Sequence, residues 1–218
     1  MNKKKVVFFG TKKIGLECLK ILNHQQTKFN YEIIGILTNN KSENIKNYSL
    51  KHKLNLLNSL DSYLSLDKVD ILISVQYHKI LSLSHIKKAK EISVNLHMAP
   101  LPEYRGCNQF SFAIIEEKVI FGTTIHKIDE GIDNGDILSE TRFKIPKNCW
   151  IEELYEITYQ NSLELFKKSL PKIISSDFKP ISQIEIKKER GSSIHFRKEI
   201  EKLKKIDLSW NKKKLKNI

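Results

Sequence analysis

Residues 69–97 read VDILISVQYHKILSLSHIKKAKEISVNLH. The stretch holds two apolar runs, Val69–Val75 and Ile92–His97, with room between them for a helix. A continuous run of this kind predicts a strand buried on both faces, and two such runs joined by a crossover predict parallel neighbours. Upstream the pattern recurs. Lys5–Phe9 is a short apolar run stopped at Gly10, and Glu32–Leu37 reads as a second buried strand. Leu54–Leu57 reads as a weaker one. Ile14, Cys18, Ile21 and Leu22 recur at helical spacing, so a helix ending near Asn23 follows the first strand. The first half is expected to be α/β: a Rossmann-like, mostly parallel sheet flanked by helices.

The first turn excludes one use of such a sheet. It reads GTKKIG (10–15) rather than GxGxxG, so the glycines that bring backbone up to a dinucleotide pyrophosphate are missing.

Downstream of His97 the pattern changes. MAPLPEYRG (98–106) is a loop punctuated by Pro and Gly, and Gln109–Lys118 a short helix. Phe121–Ile128 alternates as a strand does, DEGIDNGD (129–136) is a tight polar loop, and Leu138–Ile145 returns as an antiparallel partner. Trp150–Ile174 reads as a long helix that Pro171 ends or kinks. The remainder, from about Ser175, reads as irregular and then basic.

Composition narrows the field. A hydrophobic fraction of 40% suits a packed core. No apolar stretch is long enough to cross a bilayer, and Val6–Phe9 is too short for a signal sequence; a cytoplasmic protein with no membrane partner is expected. Cys18, Cys107 and Cys149 show no CxxC spacing, which points to reduced thiols and away from a thiolate metal site. The net charge of +13 suggests a polyanion partner, but it is concentrated at one end. Residues 186–218 hold twelve Lys/Arg against four Asp/Glu, leaving +5 for the first 185. Only Arg105, Arg142, Arg190 and Arg197 are arginines, the residue that specific phosphate and base recognition favours. Nucleic acid is therefore not the expected partner. The division expected is a catalytic domain over 1–180 and a short basic extension over 181–218.

Three polar residues carry chemistry. Asn95 and His97 sit two apart near the end of an apolar strand, so their side chains share a face at the carboxyl edge of the sheet, where open α/β sheets bind ligands. Asp133 lies in the Gly-framed loop. Asp129, Asp133 and Asp136 do not follow calcium-loop spacing, and no metal is expected. Read singly, each of the three has an ordinary explanation as a satisfied polar residue.

Read together, VNLHMAPLPEYRG (94–106) and TTIHKIDEGIDNGDIL (123–138) resemble the paired signature of the formyltransferase superfamily. The likeness runs over residues 4–175 and is strongest at 93–138. The family's Asn–x–His pair maps onto Asn95 and His97, and its loop aspartate onto Asp133. The resemblance implies that an acceptor amine attacks the formyl carbon of 10-formyltetrahydrofolate. Asn95 would donate to the oxyanion, His97 would donate to it or carry the amine's proton, and Asp133 would orient His97. It also implies a pterin pocket between Gln76, Tyr77, Lys79 and Ile80 on one side and Asp129, Glu130 and Gly131 on the other.

For the acceptor, FFGTKKIG (8–15) resembles the sugar and tRNA branches, not the purine branch with its Gly-Ser-Asn phosphate loop. YRGCNQFSFAI (104–114) resembles the YRG–x–N segment of nucleotide-sugar enzymes, with Gln109 where Pro is more frequent. SIHFRKEIEKLKKIDLSW (193–210) resembles the start of their C-terminal region. A dTDP- or UDP-linked amino-deoxy sugar for surface glycans, O-antigen or lipopolysaccharide, is the implied acceptor, and a homodimer is compatible with it. Tyr104, Arg105, Gly106 and Asn108 are the implied acceptor-side residues, with Lys12 at the phosphates. Two alternatives stand beside this: a short methionyl-tRNA formyltransferase, and a folate-binding protein without turnover.

Overall fold

The computed structural model describes residues 2–202; residues 203–218 of the expected basic extension lie outside the described residues. Strand β1 (Lys4–Gly10) leads into helix α1 (Lys12–His24), and β2 (Tyr31–Leu37) into α2 (Glu43–Lys51) and the short α3 (Leu60–Leu64). Then come β3 (Val69–Val75), α4 (Leu83–Lys88) and β4 (Ala89–His97). A two-residue strand β5 (Arg105–Gly106) precedes α5 (Gln109–Ile115). The antiparallel pair β6 (Ile120–Lys127) and β7 (Ile137–Lys144) leads to α6 (Ile151–Ser175). Helix α7 (Gln183–Arg190), strand β8 (Ile194–His195) and a 3-10 turn at Glu199–Lys202 close the described chain.

The main sheet has the order β2-β1-β3-β4-β6-β7. Its first four strands are parallel, and β6 and β7 are antiparallel to their neighbours. Alternation along β1 divides the core. Val6 and Phe8 enter the cluster under α1 and α6, while Val7 and Phe9 enter the one on the opposite face, with Tyr63 of α3. Burial on both faces is why these strands read as unbroken apolar runs. The glycine that ends β1 answers to space: a Cβ on Gly10 would lie 2.3 Å from the Phe8 ring.

Four local expectations are corrected. Leu54–Leu57 forms only an isolated parallel bridge, Leu56 to Ile36, because the chain leaves the sheet edge at once for α3. The helix expected over 109–118 stops at Ile115, where Glu117 turns to a left-handed φ of 54°. Pro171 neither ends nor breaks α6, which runs on to Ser175. Leu170, Ile173 and Ile174 are buried around it, and that packing outweighs the one backbone bond a proline removes. Finally, residues 176–202 are built into the fold: Ile181 exchanges backbone bonds with Ile137 at 2.8 and 2.9 Å, and β8 pairs with β5. These pairings are made across the fold, so no local periodicity announces them.

Candidate active site

Strand β4 delivers the first two residues. Val94 and Leu96 go into the core, so Asn95 and His97 emerge together on the other face. The His97 ring is buried, and its Nε2–H donates to the Tyr104 carbonyl at 2.7 Å. That bond fixes the tautomer and leaves Nδ1 as the proton acceptor, 3.6 Å from Asp133 Oδ2. Behind the ring, the buried Thr123 hydroxyl donates to the His97 carbonyl at 3.0 Å and accepts from Ser162 of α6 at 2.7 Å.

His126 is the member that sequence reasoning missed. It stands opposite Asn95 in the β4–β6 ladder and is buried. Its Nδ1–H donates to the Lys127 carbonyl at 2.7 Å, and Nε2, in the unprotonated form of that nitrogen, accepts from the Asn95 amide at 3.2 Å. One Asn95 hydrogen is thereby held and the other is left for a ligand. The alternation of FGTTIHKI carries a signal for an inward His126, but its pairing with Asn95 depends on register.

Asp133 completes the cluster. Its backbone is left-handed, with φ of 48°. Its Oδ2 accepts from the Gly106 N–H at 3.0 Å, and its Oδ1 lies 3.5 Å from His126 Nε2. Burial works to raise this carboxyl. When the two rings are protonated, the charge of His97, the bond and charge of His126 and the Gly106 N–H outweigh it and hold the group well below the usual carboxylate range. Gly106 takes φ of 85°, and a Cβ there would lie 2.3 Å from the His195 carbonyl. Only glycine lets this backbone reach both Asp133 and β8.

Asn95, His97 and Asp133 line a cleft of about 1370 Å³ at the carboxyl ends of the parallel strands, with His126 buried behind Asn95. Of the remaining expected site residues, Lys12, Gln76, Tyr77, Gly106 and Asn108 also line it. Lys12 Nζ donates to Gln76 Oε1 at 3.0 Å. Burial, and then the charge of Arg197 across the cleft, push its ammonium below the ordinary lysine range. Tyr77 packs its ring on Phe9 at 5.0 Å. Asn108 Nδ2 reaches the carbonyls of Phe196 and Arg197 at 3.2 and 3.3 Å, which ties the last described segment to the cleft wall.

Others do not reach the cleft. Lys79, Ile80, Asp129, Glu130 and Gly131 are exposed on two loops whose Tyr77, Leu81 and Ile128 pack on the same core cluster. The Tyr104 ring is buried against Phe121, so its carbonyl is the group it offers the site. Arg105 Nε donates to the Ser193 carbonyl at 3.4 Å. Phe112 stacks on His195 at 3.8 Å. Among the described residues, no group of three or more His, Cys, Asp or Glu is placed to hold a metal ion, and no helix is long and apolar enough to cross a membrane.

Ser193, His195 and Glu199 lie outside this cluster in an order that invites a nucleophilic reading, with spacings of 2.9 and 3.2 Å. The Ser193 hydroxyl, however, donates to the Glu103 carbonyl, and the imidazole is stacked on Phe112. The three act as a clasp that holds β8 against β5.

The chain is similar to known proteins over most of its length. The formyl transferase family profile matches residues 4–170. The chain is 33% identical over 199 residues to the bifunctional polymyxin resistance protein ArnA of Wigglesworthia glossinidia brevipalpis, covering 84% of this chain and 29% of that protein. It is 28% identical over 204 residues to the methionyl-tRNA formyltransferase of Prochlorococcus marinus (strain MIT 9515), covering 85% and 61%. It thus spans less than two thirds of either relative. Among solved structures, the N-formyltransferase of Helicobacter canadensis, in complex with folinic acid and dTDP-3-aminofucose, superposes with a TM-score of 0.79 at 23% identity, covering 100% of this chain and 79% of that one. With the six-stranded sheet, the strand-end Asn95 and His97, and the family match over most of its length, the chain belongs to the formyl transferase family.

Proposed function

We propose that this protein transfers the formyl group of 10-formyltetrahydrofolate to the amine of a dTDP- or UDP-linked amino-deoxy sugar, in the cytoplasm, for surface glycan or lipopolysaccharide synthesis. The observation that carries the reading is one cleft lined by Asn95, His97 and Asp133, with His126 held behind Asn95, and by the cations Lys12, Lys13, Lys41 and Arg197. The cluster suits acyl transfer to an amine. The cations suit a sugar diphosphate, whose charge relieves their mutual repulsion.

The amine lone pair forms a bond to the formyl carbon, and the C–N10 bond breaks. The free hydrogen of Asn95 is offered to the carbonyl oxygen as it gains charge. Nδ1 of His97 takes the proton the amine loses and returns it to the departing N10. Ionised Asp133 stabilises the imidazolium in between. Since Nε2–H is committed to the Tyr104 carbonyl, His97 is better placed for the proton than for the oxyanion. No covalent bond to the enzyme forms, so neither Cys107 nor Ser193 is needed as a nucleophile. The folate co-substrate would meet the cleft at Gln76 and Tyr77 and extend out along the exposed Lys79–Ile80 and Asp129–Gly131 loops. Tyr77 contributes there through backbone, its ring being packed on Phe9.

The test is a screen of amino-sugar nucleotides with 10-formyltetrahydrofolate, read as a mass gain of one formyl group. Turnover of at least one supports the reading; folate binding with no transfer to any amine sinks it. One observation favours a second reading, formylation of charged initiator tRNA: the likeness to methionyl-tRNA formyltransferase covers 85% of this chain. The same assay with that tRNA separates the two.

A further inference from the structure

Gln183, the first residue of α7, is buried although it lies in a segment that reads as an irregular tail. Its Nε2 donates to the carbonyls of Asp133 and Gly135, at 2.9 and 2.7 Å. Both acceptors are carbonyls, so the amide has one workable orientation. That orientation leaves Oε1 buried without a hydrogen-bond partner. A buried polar group left unpaired carries a cost, and such costs collect where something other than core packing sets the side chain.

What these two bonds hold is the Asp133 loop. Asp133 stands at a left-handed φ that disfavours any residue with a Cβ. Gly135 is pressed so close to the Lys127 carbonyl that a Cβ would lie 2.1 Å from it. The Gln183 amide clamps the carbonyls on either side of Asn134, and the Ile181–Ile137 pairing fixes the start of α7 on β7. The groups that face the Asp133 carboxylate are His97 from β4, His126 from β6 and the Gly106 N–H from β5.

We propose that Gln183 is a positioning residue that sets the Asp133 carboxylate against His97 and His126, which makes α7 a working part of the site. The proposal rests on the reading of Asp133 as a member of the reacting cluster.

The test uses the full chain with Gln183→Leu, which removes both donated bonds at similar volume, and Gln183→Glu, which turns a carboxylate toward the two carbonyls. Turnover, thermal midpoint and the pH titration of the His97 and His126 ring signals by NMR are measured for each. The expected result is a fall in kcat of about tenfold or more with KM changed by less than about twofold. Both rings are expected to release their protons at lower pH than in the parent, because the carboxylate has shifted away. A folded variant with parental kcat and parental histidine titration, lower only in thermal midpoint, overturns the proposal. So does failure of both variants to fold, which makes Gln183 a folding residue. Absence of formyl transfer in the parent overturns the functional reading alone, since the histidine titration needs no substrate.

Discussion

His97 has its two ring nitrogens in different employment, and its role follows from that division. Nε2–H belongs to the Tyr104 carbonyl, and Nδ1 faces Asp133 and the cleft. Asn95 is divided in the same way, with one amide hydrogen on His126. Losing an oxyanion donor costs about 10²–10³ in kcat, so Asn95→Ala is expected to fall by that much and His97→Ala by more. Near-normal turnover in either, measured at saturating substrate, would remove the mechanism. Asp133 supplies a second test. Its carboxyl is depressed in the folded state, so its contribution to stability is present above the unfolded value of about 3.9 and is lost as pH falls below it. The urea midpoint of the parent should exceed that of Asp133→Asn at pH 7, and the gap should shrink between about pH 4 and pH 3. A gap that grows over that interval contradicts the assignment.

At the level of elements, the sequence was legible wherever one segment could satisfy itself. β1, β2, β3 and β4 are readable as apolar runs because both faces are buried, and α6 because its buried stripe repeats at helical spacing. β5, β8 and α7 are short and are defined by what they touch. The tightest of these contacts is Gly106, at φ of 85° with its Cα facing the His195 carbonyl. Gly106→Ala is expected to cost about 1–3 kcal/mol in strain and to release β8 from β5. The checks are a lower urea midpoint and new proteolytic sensitivity over residues 191–202. Turnover should drop further than stability does, because the same peptide N–H bonds Asp133. Equal losses of the two would mean that this N–H has no part in the chemistry.

For the whole molecule, charge and topology decide different things. The net charge of +13 invites a nucleic-acid reading, yet four of the described cations, Lys12, Lys13, Lys41 and Arg197, line one cleft. If the acceptor is a nucleotide sugar, formylation should change little between about 50 and 200 mM salt, whereas tRNA formylation resting on 6–10 phosphate contacts would lose about 10³–10⁵ in affinity. A steep salt slope with the sugar acceptor would point to a polyanion site instead. By itself the sequence determined the α/β class, the strand-end position of Asn95 and His97, and the paired motifs around Asp133, because burial and turn chemistry act over a few residues. Only the tertiary structure brought His126 to Asn95, gave the His97 Nε2–H to Tyr104, and set Gln183 under the Asp133 loop. Those contacts join residues 7, 31 and 50 positions apart. Strand register and the return of the chain after α6 create them, and no local pattern encodes either.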